Sequence, residues 1–176
     1  MATGFHTCAR YDHPVAALVE LLGDPRYHEA LVESGGARRR AHARRLDPAA
    51  HLLRVVVDVW EPALHGGGES RRTMSFELDR GTLRAAWSQR IHGFERRVRA
   101  EGTTELIALS PTACELHTRG RIELNIPMIG ATLERRLRSQ LEADSARERD
   151  FTRAWLERAL APKVKPAAKP AGSPSR

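Results

Sequence analysis

Between Cys114 and Ile126 every second side chain is apolar or small. Cys114, Leu116, Thr118, Gly120, Ile122, Leu124 and Ile126 alternate with Glu115, His117, Arg119, Arg121, Glu123 and Asn125. A period of two predicts a strand with one buried and one wet face. The run LLRVVVDVWEP repeats the pattern, with Leu53, Val55, Val57 and Val59 on one side and Leu52, Arg54, Val56, Asp58 and Trp60 on the other. Its β-branched content makes it a strand. ARRRAHARR (37–45), TMSFEL around 74–78, LRAAWSQRI (83–91) and VRAEGTTELIAL (98–109) read the same way. Asp47-Pro48, Asp79-Arg80-Gly81 and Ser110-Pro111-Thr112 are the turns between them. A further short strand, Thr3–Tyr11, opens the chain.

Helical spacing appears in three places. Asp12 is positioned to cap a helix with Pro14 in its first turn; Val15, Leu18, Val19 and Leu22 share a face, and Gly23 ends it. Asp24-Pro25 starts a second helix, with Tyr27, Ala30 and Leu31 inward and Gly35-Gly36 as its stop. The third runs from Met128 to about Leu160, about 48 Å at 1.5 Å per residue. Its apolar stripe holds Leu133, Leu137 and Leu141, then Phe151, Trp155 and Ala159, but the middle reads SQLEADSARERDF. Asp144 falls roughly 20° and Glu148 roughly 60° from Leu133 around the axis, inside the apolar sector. Either these acids line a pocket, or the helix overhangs the sheet and water wets them while they pair with neighbouring arginines.

A strand, two short helices, a run of six antiparallel strands and a long terminal helix imply an α+β layer fold. The 176 residues suit one domain, residues 1–161. Residues 162–176 form a Pro/Ala/Lys tail that cannot bury enough apolar surface to order, so disorder is expected there. The net charge of +7 is shared unevenly, because Lys163, Lys165, Lys169 and Arg176 put +4 in the tail and leave +3 for the body. There is no apolar run of membrane-spanning length and no signal-peptide pattern, which predicts a cytoplasmic protein. Cys8 and Cys114 have no C-x-x-C spacing and read as two reduced, buried thiols.

Catalytic motifs are sparse. Neither G-x-S-x-G nor H-E-x-x-H occurs, and His65 beside Gly66-Gly67-Gly68 lacks the Lys-Ser/Thr of a phosphate loop. His6, His42, His51, His92 and His117 are scattered, so no metal and no cofactor is indicated. The arginines of 37–45, with Arg71-Arg72 and Arg96-Arg97, would make a basic stripe for phosphates or an anionic membrane. No aromatics interleave the stripe, so nucleic-acid stacking is not indicated.

The element order resembles the helix-grip fold of the START-like superfamily, which includes birch-pollen-allergen relatives and polyketide cyclases. RIELNIPMIGATLERRLRSQLEADSARERDFTRAWL is similar to the C-terminal signature of domain-of-unknown-function family 2505, with its Pro-hydrophobic-hydrophobic-Gly turn and its Phe-Thr-x-x-Trp-Leu motif at Phe151, Thr152, Trp155 and Leu156. DHPVAALVELLGDPRYHEALVESGG is similar as well, and the resemblance spans roughly residues 3–160. It implies a curved antiparallel sheet of about seven strands wrapped around the C-terminal helix, with a cavity between them. Arg54, Trp60, Trp87, Leu116, Thr118, Ile122, Leu137, Gln140, Leu141, Asp144, Arg147, Glu148 and Phe151 are then the candidate cavity residues. The implied partner is a hydrophobic small molecule such as a lipid, isoprenoid or polyketide. Two alternatives stay open: a cyclase-type enzyme with a cavity carboxylate as general base, and a basic surface module for nucleic acid or anionic lipid. No catalytic residue is implied, and the sequence does not fix the oligomeric state.

Overall fold

The structure, a computed structural model, describes residues 2–63, 68–124 and 131–160, with side chains at 3–63, 68–123 and 143–159. Seven strands, β1 (Ala2–Tyr11), β2 (Arg40–Ala49), β3 (Leu52–Pro62), β4 (Glu69–Asp79), β5 (Arg84–Ile91), β6 (Val98–Ser110) and β7 (Ala113–Leu124), form one antiparallel sheet in the order β1-β7-β6-β5-β4-β3-β2. Helices α1 (Val15–Leu22) and α2 (Pro25–Glu33) connect its two edges, and α3 (Ala131–Leu160) closes the chain. This is the helix-grip arrangement, a curved sheet with its helices on the inner side. The expected tail and the turn at 125–130 lie outside the described residues, and no described helix is long and apolar enough to cross a membrane.

Period-two burial sets the two faces. Strand register places Ala43 opposite Val57, Val57 opposite Met74, Val55 opposite Phe76, Phe76 opposite Trp87 and Leu106 opposite Leu116, so these share the inner face. Leu53, Val55, Val59, Leu78 and Cys114 are fully buried there, against Leu18, Leu21 and Leu22 of α1 and Tyr27 of α2. Each such side chain contributes about 1.5–3 kcal/mol by leaving water. On the outer face Arg54 opposes Glu77 and Trp60 opposes Arg71.

Two boundaries and the burial of one thiol differ from the sequence expectation. Pro14, not Asp12, is the N-cap of α1, with extended dihedrals (φ −61°, ψ 146°) and no side-chain cap; Asp12 lies 3.7 Å from Arg10 instead. By contrast Asp24 caps α2 as expected, accepting from Arg26 N at 3.0 Å. Strand β4 starts at Glu69, because Arg71, Arg72 and Thr73 pair with Trp60, Val59 and Asp58 although arginine-rich sequence carries no strand signal of its own. Cys8 is exposed: it shares the outer parity of β1 with His6 and Arg10, and only Cys114 is the buried thiol expected.

Candidate functional site

The inner face changes character along its length. At the end covered by α1 and α2 it is solid core. The C-terminal part of α3 docks there through the Phe-Thr-x-x-Trp-Leu segment. Phe151 and Trp155 pack around the Tyr27 ring at centroid distances of 6.0 and 5.9 Å, and Leu156 is buried. Thr152 Oγ1 donates to Glu148 O at 2.7 Å, the ordinary back-bond of a mid-helix threonine, and therefore accepts from Tyr27 Oη at 2.8 Å. Along the middle of the sheet, Phe5, Met74, Phe76, Trp87, Leu116, Thr118 and Ile122 are only half-buried although they point inward. Gly102 and Gly120 face each other across β6 and β7, and their missing Cβ atoms leave room for the Trp87 indole to lie against the sheet beside Phe5. Trp87 Nε1 is enclosed without a hydrogen-bond partner among the described residues.

Beyond these apolar residues the inner face turns charged. Glu61 continues the Val55-Val57-Val59 stripe of β3 and holds two guanidinium groups, Arg39 at 3.4 Å and Arg72 at 3.2 Å; Arg72 also donates to Gln89 Oε1 at 3.2 Å. Asp144 and Arg147 of α3 form an i, i+3 pair at 3.0 Å and lie close enough for both charges to act on Arg72. Burial lowers the Arg72 pKa, and Glu61 opposes that. Arg147 Nε is enclosed without a hydrogen-bond partner among the described residues, whereas Arg72 Nε faces Glu61 Oε1 at 3.2 Å.

One helical turn on, Glu148 faces the tyrosines. The residue is exposed to solvent, and desolvation by its neighbours raises its carboxyl pKa; Arg147 opposes the shift and Asp144 adds to it. The negative charge acts on both neighbouring phenols. Burial pushes Tyr11 up to about 12, with the Thr152 hydroxyl opposing and Glu148 reinforcing, and pushes Tyr27 well above the usual phenol range. His28 donates from Nε2 to Leu22 O at 2.8 Å, and burial lowers its pKa, which keeps it neutral.

The structure therefore divides the candidate residues. Trp87, Leu116, Thr118 and Ile122 share the inner face, and Asp144 and Arg147 on α3 approach it at Arg72. Glu148 and Phe151 lie against Tyr27. Arg54 and Trp60 are corrected. Both sit at even positions of β3 and point to the outer face, where Arg54 pairs with Glu77 (Nε to Oε2, 2.7 Å) and Trp60 stacks under Arg40 and Arg71 at 5.9 and 5.6 Å. A shallow open depression of about 490 Å³ beside Arg54, Ser75 and Glu77 is on that outer face too, so it is no part of the space under α3. The side chains of Leu137, Gln140 and Leu141 lie outside the described residues.

Sequence reasoning missed Arg39, Glu61, Arg72 and Phe5. The signal was present in parity: Arg72 continues the Leu78-Phe76-Met74 stripe, as Glu61 continues that of β3. The basic stripe is largely neutralised. Arg40 meets Glu69 at 2.5 Å, Arg44 and Arg71 meet Asp58 at 2.9 and 3.2 Å, and Arg45 meets Asp47 at 3.0 Å.

Comparison with solved structures agrees with this geometry. TTHA0849 from Thermus thermophilus superposes with a TM-score of 0.65 at 14% identity, covering 90% of this chain and 100% of that one. The ZhuI aromatase/cyclase from Streptomyces sp. R1128 gives 0.63 at 14%, covering 91% and 96%. Norcoclaurine synthase from Thalictrum flavum, in complex with dopamine and hydroxybenzaldehyde, gives 0.58 at 11%, covering 89% and 88%. At such identities the likeness establishes the START-like fold alone. No curated protein matches the sequence. Residues 7–156, from the first strand to the buried Leu156 of the Phe-Thr-x-x-Trp-Leu segment, match the model of one family, and the chain belongs to it: the protein of unknown function family DUF2505.

Proposed function

We propose that the space between α3 and the middle of the inner face is a binding cavity for an amphipathic small molecule. The observation that carries this reading is the middle of the inward face, where Phe5, Met74, Trp87, Leu116 and Ile122 point inward yet are only half-buried. An apolar body would lie along Phe5, Met74, Trp87, Leu116 and Ile122. A polar group would meet the charged end at Arg147, whose enclosed Nε–H lacks a hydrogen-bond partner among the described residues, beside Arg72 in its ion pair with Glu61. Apolar walls with a few convergent polar groups are the usual make-up of a small-molecule site. Lipids, isoprenoids and polyketide-like molecules have this shape.

A second reading has its own support. A carboxyl with a raised pKa beside an apolar space is suited to general-base work, so Glu148 would carry cyclase-type chemistry if the ligand is a substrate.

Native mass spectrometry of the purified full chain, followed by solvent extraction, tests the cavity, together with a titration by the amphipathic anion 1-anilinonaphthalene-8-sulfonate. A discrete apolar adduct, or saturable 1:1 dye binding abolished by Leu116→Trp in a folded variant, is the expected result. A clean mass together with dye binding indifferent to Leu116→Trp would refute it. If a co-purified molecule is converted, Glu148→Gln stops turnover and keeps binding; unchanged turnover would remove the general-base role.

A further inference from the structure

On the opposite side of the sheet, edge strand β1 and its neighbour β7 assemble four side chains with metal-binding chemistry. Cys8 stands directly across from His117, and Glu115 is two residues before His117 on the same face. Cys8 Sγ lies 3.5 Å from His117 Nε2, and Nε2 lies 2.9 Å from Glu115 Oε2; one donor atom from each of the three falls within 4.8 Å of the others. The His6 ring stacks beside His117 at 5.7 Å and 25°. We propose that Cys8, Glu115 and His117 bind a zinc ion, with solvent in the fourth position, stapling the edge strand β1 to β7.

The sulfur–nitrogen span suits that ion. Zinc–sulfur bonds of about 2.3 Å and zinc–nitrogen bonds of about 2.0–2.1 Å meeting at a tetrahedral angle put S and N about 3.5 Å apart, which is the separation already present. Glu115 Oε2, at 2.9 Å from His117 Nε2, would move out to about 3.4 Å as the ion replaces that hydrogen bond. A mixed thiolate, imidazole and carboxylate set selects a borderline-soft cation over magnesium or calcium, which take oxygen donors. Arg10, opposite Glu115 in the register, is directed toward Asp12 at 3.7 Å. Two of the three donors, Glu115 and His117, are about three-quarters shielded, with side-chain exposures of 28% and 23%, so this is a partly enclosed site at the sheet surface.

An activated nucleophilic thiol is the competing use of such a trio, and the electrostatics oppose it. Desolvation, with the Glu115 charge adding, raises the Cys8 pKa, whereas a reactive cysteine needs it lowered. A bound cation reverses that balance, because coordination deprotonates the thiol outright.

The test uses the full chain, reduced and freed of metal, titrated with cobalt(II) as a spectroscopic probe and then with zinc. The expected result is 1:1 binding with a thiolate-to-cobalt charge-transfer band and the d–d bands of a tetrahedral site, both erased by stoichiometric zinc. Cys8→Ser, an exposed position whose change leaves the circular dichroism of the fold intact, eliminates the charge-transfer band. Glu115→Gln and His117→Ala each weaken binding by more than about 10-fold, since loss of even an outer-shell partner costs that much. His51→Ala, in a distant turn, changes nothing. Absence of the charge-transfer band at stoichiometric cobalt, or its survival in Cys8→Ser, would overturn the proposal.

Discussion

Tyr27 and Thr152 offer the sharpest test of how α3 is held to the rest of the molecule. Both are essentially buried, at 1% and 2% exposure, and their hydroxyls meet at 2.8 Å. Because Thr152 spends its own proton on Glu148 O, the tyrosine must donate. Tyr27→Phe then removes one neutral hydrogen bond and leaves the threonine satisfied as a donor, a loss of about 1 kcal/mol. Thr152→Val is worse, since it strands a buried phenol that burial and Glu148 both keep neutral and in need of an acceptor; about 2 kcal/mol is expected. In the double variant the Tyr27 hydroxyl is gone together with its acceptor, so its cost returns to about 1 kcal/mol, about 2 kcal/mol less than the sum of the singles. Urea unfolding of the four proteins measures each term. A melting scan should follow with shifts of roughly 2–4 °C per kcal/mol for a chain of this size. Additive losses, or a neutral Thr152→Val, would show that the hydroxyl pair does not join the helices energetically and would refute the reasoning.

Two further outcomes follow from the sheet. Gly102→Ala drives a methyl group into Arg119 O and against Trp87, and overpacking of this kind costs about 1–3 kcal/mol, whereas Gly4→Ala, whose nearest neighbour would be Gly120 O at 3.8 Å, stays within about 0.5 kcal/mol; equal melting temperatures for the pair would contradict the close approach of β6 and β7. Asp58 accepts from Thr73, Arg44 and Arg71, and these contacts, the Thr73 hydrogen bond first, lower its pKa to about 2. A depressed carboxylate stabilises the fold above its unfolded pKa of about 4, and that contribution is lost as pH falls toward 2. It amounts to about 2 kcal/mol, or about 1 kcal/mol once solvent screening of the half-exposed arginines is allowed for. Asp58→Asn should flatten this acid-side decline in unfolding free energy between pH 4 and 2, and an unchanged slope would remove Asp58 as its source.

The sequence determined the elements and their faces. Alternation in β3 and β7 named the side chains that share the inner face, and the Asp24-Pro25 start named a real cap, because strand pleat and first-turn capping are local physics that depend on neighbours a few residues away. It also placed the two acids of α3 on the inward sector of that helix. What those acids meet was decided by tertiary structure: Asp144 approaches Arg72 from β4, and Glu148 meets Tyr11 and Tyr27, partners 72, 137 and 121 residues distant in sequence. The same limit explains Arg54 and Trp60. Their parity was read correctly, but which parity faces a cavity depends on the side the helices cover. Cys8, Glu115 and His117 meet only because the first strand pairs with the last, a register that no local pattern encodes.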